Sequence, residues 1–326
     1  MQSALADTLL YLSSGDIAAI GLGPGELIDA VERVFAAQAD GKARPGPKAV
    51  VPVATGHSFH AMPGSIAEAG LAGMKFFGVV PGNPARGLPN VCSLVVLSDI
   101  ANGLPVCVMD GGWITAVRTA AMSAVAARRL ARPQSETAAF VGCGVQAHSH
   151  ARLLRHVLPG LRRAAVLGRS PARRDGFVAA LREEGWDVRL ADGPGDVLAG
   201  ADVVVSTVPE APGSAPFLDA AKLPDQAFVA AVDLGRSWLP AGYGEFTLVA
   251  TDDIAQSRGL VAEGRLKSPP DFAADLASLA SGSYGGGVPA GRIFFVFSGH
   301  VLGDLAVAAA LYRRAVEQRI GTTLPR

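Results

Sequence analysis

Apolar residues at Leu27, Ile28, Val31, Val34 and Phe35 repeat at helical spacing and predict a helix over residues 24–40. Pro24 suits its first turn and Gly41 its C-terminal end. Beyond it the pattern shortens. "KAVVPVA" (48–54), "SFHAM" (58–62), "GMKFFGVV" (73–80), "VCSLVVL" (91–97) and "PVCVMD" (105–110) are apolar or alternating runs broken by Gly and Pro. Successive strands with no helix between them predict an antiparallel or mixed sheet.

The pattern changes at Gly111–Gly112. "WITAVRTAAMSAVAARRLA" (113–131) has helical spacing and is closed by Arg132–Pro133. From Glu136 onward strands ("TAAFVG", "RAAVLG", "ADVVVSTV", "AFVAAVDLG", "FTLVA") alternate with helices expected over 145–158 and 171–185. Such alternation builds βαβ units on a parallel sheet, so the fold class is α/β. Residues 282–291 are glycine-rich and read as a loop, and a last helix is expected from about 299 to 319.

Composition narrows the function classes. The chain has 326 residues, 49% apolar and 18% charged, enough for a sizeable core. Lys plus Arg equals Asp plus Glu at 29 each, so no overall charge draws the chain to nucleic acid or to an anionic membrane. Three cysteines (Cys92, Cys107, Cys143) make neither a disulfide framework nor a paired zinc motif. No secretion signal or bilayer-length apolar run is visible, and a cytoplasmic location is expected.

"FVGCGVQAHSH" (140–150) admits two chemistries. Cys143, His148 and His150 could be metal ligands. On a helix, however, positions two apart point about 200° from each other, so the histidines cannot meet one ion, and no metal is expected. They read instead as partly exposed helix residues. The other reading is a dinucleotide turn. A buried-type strand precedes it and a helical pattern follows (Val145, Leu153, Leu154, Val157). Gly142 permits the tight turn, Gly144 the approach of a pyrophosphate, and Ala147 is the small residue needed for helix–strand packing. The next strand ends "VLGRSPARR", where an NAD enzyme usually carries an acid. Arg169, Ser170, Arg173 and Arg174 offer donors and positive charge, which favours NADP(H), with NAD(H) the alternative. Thr207 and Val208 follow a strand at its carboxyl end, where open α/β sheets bind ligands.

"VMDGGWITAVRTAAMSAVAARRLARP" followed by "VGCGVQAHSH" resembles the ornithine cyclodeaminase and mu-crystallin family. The resemblance covers nearly the whole chain and is most specific over 108–147. It implies a Rossmann NAD(P)-binding domain over 118–297 and a smaller α+β substrate and dimerisation domain from 1–117 with 298–326, assembled as a homodimer. It places Thr119, Val145 and Gln146 with the cofactor residues. It implies that Arg118 holds a substrate carboxylate and that Lys75 binds that carboxylate or supplies a proton to the imine nitrogen. Lys48 stands where many members have an arginine, with Arg44 upstream; the resemblance implies that one of them, Lys48 before Arg44, makes the second carboxylate contact, although Lys cannot fork. Asn90 and Ser93 match polar substrate-site positions. Two departures matter. Where cyclodeaminases carry an aspartate this chain has Gly235, with Asp233 two residues earlier. "FVFSGHVLGD" lacks the usual basic residue, and His300 nearby reads as a helix-start residue. The function implied is an NADPH-dependent reductase of a small ketimine, most simply a cyclic imino acid giving proline or pipecolate. Ornithine cyclodeaminase, amino-acid dehydrogenase and a non-catalytic NADPH-binding protein are the alternatives.

Overall fold

Glycine and proline cut the first third of the chain into strands, and those strands form one sheet. The structure is a computed structural model; it describes residues 7–210, 213–269 and 271–326. Its contacts divide the chain into two units, one ending at Arg118 and resuming over His300–Arg326, the other Thr119–Gly299.

In the first unit the strands are β1 (Thr8–Leu12), β2 (Ala43–Pro45), β3 (Ala49–Ala54), β4 (His57–Ile66), β5 (Leu71–Val79), β6 (Val91–Asp99) and β7 (Pro105–Asp110). A C-terminal strand, Thr322–Pro325, completes the sheet. The order is C-terminal strand, β1, β7, β6, β5, β4, β2, with β3 also on β4. All pairings are antiparallel except β1 with β7. Helices α1 (Ser14–Ile20) and α2 (Pro24–Ala39) follow β1. The C-terminal helix, Val301–Gln318, packs on α2 and on β4, β5 and β6.

Register decides what this helix meets. Lys75 lies opposite Met62 and Val95, and Phe77 opposite His60 and Ser93, so these side chains share one face. Gly64 and Gly73 face each other two residues along. A Cβ on Gly73 would stand 2.8 Å from Leu305, and one on Gly64 3.0 Å from Val301. The missing side chains form the groove into which the helix settles.

Helix α3 (Gly112–Leu130) runs from one unit into the other without a break. The second unit then alternates: β8 (Thr137–Val141), α4 (Val145–Val157), β9 (Arg163–Leu167), α5 (Pro171–Glu183), β10 (Asp187–Leu190), β11 (Val203–Ser206), β12 (Phe228–Ala231), β13 (Phe246–Thr251), β14 (Ala274–Asp275) and β15 (Arg292–Val296). Every pairing is parallel, in the order β10-β9-β8-β11-β12-β15-β13-β14. The chain reverses direction of travel between β8 and β11, the switch point where such sheets bind dinucleotides. Strand β15 enters between β12 and β13, a central position that the strand candidates read from the sequence left out.

Candidate functional site

The site-bearing face of the first unit is built around one buried lysine. Lys75 is 1% exposed, on β5. Its Nζ donates to Asp304 Oδ1 at 3.0 Å, and Arg118 Nε lies 3.1 Å from the same oxygen. Asp304 is fully buried in the first turn of the C-terminal helix. The Gly64–Gly73 groove lets that turn reach the sheet. Phe77, two residues on, has Lys75 Nζ 5.1 Å and Lys48 Nζ 5.6 Å from its ring centroid, and His60 stacks on it at 4.5 Å. Ser58 holds the His60 ring, Oγ to Nε2 at 2.7 Å.

Burial pushes the Lys75 ammonium down to about 8; Asp304 opposes this, while Arg118 and Lys48 add to it. The cluster thus gathers three cations around one carboxylate, with an amine close to neutrality in its ionisation. It is suited to receive an anion and to hand over a proton.

The structure brings Lys48, Lys75 and Arg118 together. Ser93 lies beside Phe77 in register, its Oγ 3.3 Å from Thr115 Oγ1. Asn90 is exposed, and its carbonyl accepts from the Val80 N–H at 2.9 Å, a backbone role. Arg44 is exposed and caps the turn at Gly41 through Nε. Asp304 was missed by sequence reasoning: a single acid in an apolar helix carries no local signal, and its partners are far away along the chain. His60 was missed for the same reason, inside a strand pattern.

The second unit carries the glycine turn. Gly142 has φ +102°, and a Cβ there would stand 2.6 Å from Thr207 Oγ1. Gly is thus required by conformation and by the close approach of β8 to β11. Gly144 is the N-cap of α4, and a Cβ on it would meet nothing within 4 Å. Ala147 is fully buried against the sheet, Val145 is exposed in the first turn, and Gln146 is partly buried beside it. Helix-start N–H groups beside an open glycine backbone fit a pyrophosphate. Thr207 N–H donates to Val141 O at 2.8 Å, and Val208 packs on the unit's core. Thr119 is buried on α3. Arg169, Ser170 and Arg173 are exposed where β9 passes into α5, with Ser170 at the N-cap; Arg174 turns to Asp175 at 3.0 Å.

One expectation is corrected. His150 is not partly exposed: it is fully buried, with Nδ1 2.8 Å from Gln146 O and Nε2 2.9 Å from Ser123 Oγ. The carbonyl can only accept, so Nδ1 carries the proton and Ser123 donates to Nε2. Burial pushes its pKa down to about 4. His148 is exposed, its ring edge-on to Phe177 at 4.7 Å. Among the described residues no group of three or more His, Cys, Asp or Glu is placed to hold a metal ion.

Asp233 is buried in the second unit. It accepts from Ser206 Oγ at 3.1 Å and Ser237 Oγ at 2.5 Å, and burial raises its carboxyl to about 6. Gly235 has φ +71°, and a Cβ would stand 1.9 Å from the Lys267 carbonyl oxygen. His300 is the N-cap of the C-terminal helix, Nδ1 accepting from the Leu302 N–H at 3.2 Å.

Comparison with known proteins gives the chain's family. A model of the ornithine cyclodeaminase/mu-crystallin family matches residues 19–237. The chain is 29% identical over 310 residues to alanine dehydrogenase of Archaeoglobus fulgidus, covering 92% of this chain and 93% of that protein. It is 26% identical over 261 residues to a Delta(1)-pyrroline-2-carboxylate reductase of Bacillus cereus, covering 76% and 79%. An archaeal alanine dehydrogenase dimer with bound NAD superposes with a TM-score of 0.87 at 25% identity, over 97% of this chain and 99% of that one. A parallel dinucleotide-type sheet joined to a mixed α+β unit defines the class, an α/β oxidoreductase. The chain belongs to the ornithine cyclodeaminase/mu-crystallin family.

Proposed function

We propose that the chain is an NAD(P)H-dependent reductase of a small ketimine, with a cyclic imino acid such as pyrroline-2-carboxylate or piperideine-2-carboxylate as substrate and proline or pipecolate as product. The observation that carries this reading is the buried Lys75–Asp304–Arg118 cluster with Lys48 beside it. One carboxylate among three cations leaves positive charge for an α-carboxylate, held by Arg118 and Lys48 with Ser93 and Asn90 at its margin. Arg118 gives that contact a planar fork. Lys75 passes its proton to the imine nitrogen. A lysine titrating near 8 is charged at neutral pH and surrenders a proton readily. The lysine is 1% exposed, with the Phe77 ring 5.1 Å from its Nζ.

The cofactor is held at Gly142, Gly144, Val145, Gln146 and Ala147, with Thr119, Thr207 and Val208. When bound, it supplies hydride to the imine carbon. Arg169, Ser170 and Arg173 favour NADP(H) over NAD(H), since exposed guanidinium groups there suit a 2′-phosphate. The partner of a reductase so built is a small molecule.

A cyclodeaminase is the second reading, and Gly235 weighs against it. Position 235 has no room for the aspartate that the family resemblance associates with cyclodeaminases, and Asp233 is committed to two serines. The test is cofactor oxidation, followed by absorbance, with each cyclic imine and with NADPH and NADH in parallel. Ammonia release from ornithine without net cofactor change would instead establish the cyclodeaminase. Turnover of pyruvate with ammonia in preference to the cyclic imines would move the substrate to that of an alanine dehydrogenase.

We also infer a homodimer formed through the outer face of the first unit's sheet. Val51, Val53, Phe59, Phe76 and Leu94 are exposed there, and Phe59 and Phe76 stack at 5.9 Å. A contiguous apolar face of this kind marks an interaction surface.

A further inference from the structure

Asp304 has more to do than neutralise a neighbour. Its Oδ1 is shared by Lys75 at 3.0 Å and Arg118 at 3.1 Å, while its buried Oδ2 has no hydrogen-bond partner among the described residues. A carboxylate so placed directs its field onto the two cations that share its Oδ1. The groups facing Lys75 come from several elements. Asp304 comes from the C-terminal helix, Arg118 from α3, Lys48 from the segment before β3, and the Phe77 ring, with His60 stacked on it, from the sheet itself. Of these, Asp304 is the one anion. Burial, Arg118 and Lys48 all oppose charge on the lysine.

We propose that Asp304 is a positioning residue, which keeps Lys75 charged and fixes the aim of its ammonium while tying Arg118 to the same point. It does this without touching the substrate. The proposal rests on the reductase reading for what Lys75 then does, but the charge of Lys75 can be read without turnover. The bond is specific in direction as well as charge. An ammonium carries three N–H bonds, and anchoring one of them on a buried oxygen fixes where the other two point.

The chain contains only five lysines (Lys42, Lys48, Lys75, Lys222, Lys267), so an NMR titration of protein labelled with 13C at the lysine ε-carbon resolves them, and Lys75→Arg identifies the signal. In the wild type the Lys75 signal titrates near 8. In Asp304→Asn it titrates at lower pH than in the wild type, because burial, Arg118 and Lys48, the remaining influences, all disfavour the ammonium. The alkaline limb of kcat/KM for pyrroline-2-carboxylate moves down by the same amount. Asp304→Glu, which retains the charge, keeps the titration near the wild-type value and lowers kcat through misdirected aim; it also serves where Asp304→Asn does not fold. An unchanged Lys75 titration in folded Asp304→Asn, or a Glu variant that titrates like Asn, overturns the proposal. A shifted titration in a protein that turns over no imine supports the proposal and removes the reductase reading instead.

Discussion

A lysine in the middle of a sheet strand ordinarily reaches water. Lys75 does not, because Gly64 and Gly73 admit the C-terminal helix and Asp304 with it. Its chemistry is therefore a property of three distant segments, and the sequence around "GMKFF" announces the residue but not the reason. Replacing it tests the role: Lys75→Met is expected to lower kcat about 10²–10⁴-fold, the usual worth of a positioned acid. Nicotinamide dinucleotide affinity should stay unchanged by fluorescence titration, since the glycine turn proposed to hold the cofactor lies in the other unit. Two further buried groups set the pH response of the second unit. Asp233 has its carboxyl raised to about 6, so it stabilises the fold at low pH and loses that contribution as pH rises from its unfolded value toward 6. His150 has its pKa lowered to about 4, so its contribution is present at neutral pH and is lost as pH falls through 6.5 toward 4. Between pH 4 and 6 the two oppose each other. Denaturant midpoints should show Asp233→Asn with a steeper rise of stability with pH than wild type, and His150→Gln with a shallower or inverted one. Parallel curves for all three proteins would refute both assignments.

At the scale of elements, legibility followed periodicity. Helices α2, α3, α4 and α5 and the C-terminal helix lie within about two residues of their expected bounds, because amphipathic spacing is a local property. The glycine turn was legible because its neighbours, a buried strand and a helix start, are contiguous with it. The short helix α1, strand β1 and the C-terminal strand were not. β1 and the C-terminal strand are brief and complete each other from opposite ends of the chain. Strand β10 is four residues long and mostly exposed, too short to establish a pattern. The turn itself yields a prediction. Gly142→Ala must place a Cβ 2.6 Å from Thr207 Oγ1 at φ +102°. The expected result is at least a tenfold weaker NADP(H) affinity by isothermal titration, with a lowered melting temperature. A variant with wild-type affinity would show that the cofactor is bound elsewhere. The proposed preference for NADP(H) rests on the loop from β9 into α5: Arg169→Ser with Arg173→Ser should lower the NADPH-over-NADH ratio of kcat/KM by tenfold or more. A ratio that does not move assigns those arginines to the solvated surface.

Over the whole molecule, formal charge sums to zero, so the homodimer proposed above would draw on apolar area rather than on an overall field. The outer face of the first sheet supplies that area, with Val51 61% exposed and Phe76 45% exposed. Phe76→Lys with Leu94→Lys should convert a dimer into a monomer in light scattering after size-exclusion chromatography, and a wild-type protein already monomeric at micromolar concentration would end the dimer inference. Among the described residues no helix is long and apolar enough to cross a membrane.

The pairing of β1 with the C-terminal strand has a consequence of another kind. Thr8 lies opposite Pro325, and the Arg326 N–H reaches the Asp7 carbonyl at 3.0 Å. Head and tail of the described chain are thus already neighbours in one sheet. A short linker joining Asp7 to Arg326 closes the polypeptide into a ring, and new ends can be cut in an exposed turn such as Asn102–Gly103. Such a circular permutant keeps every contact of the Lys75 cluster. Its chain begins at Gly103, so the dinucleotide unit emerges from the ribosome before β1 to β6 rather than after them. A permutant that still folds would show that the order of synthesis of the two units is separable from how each one folds.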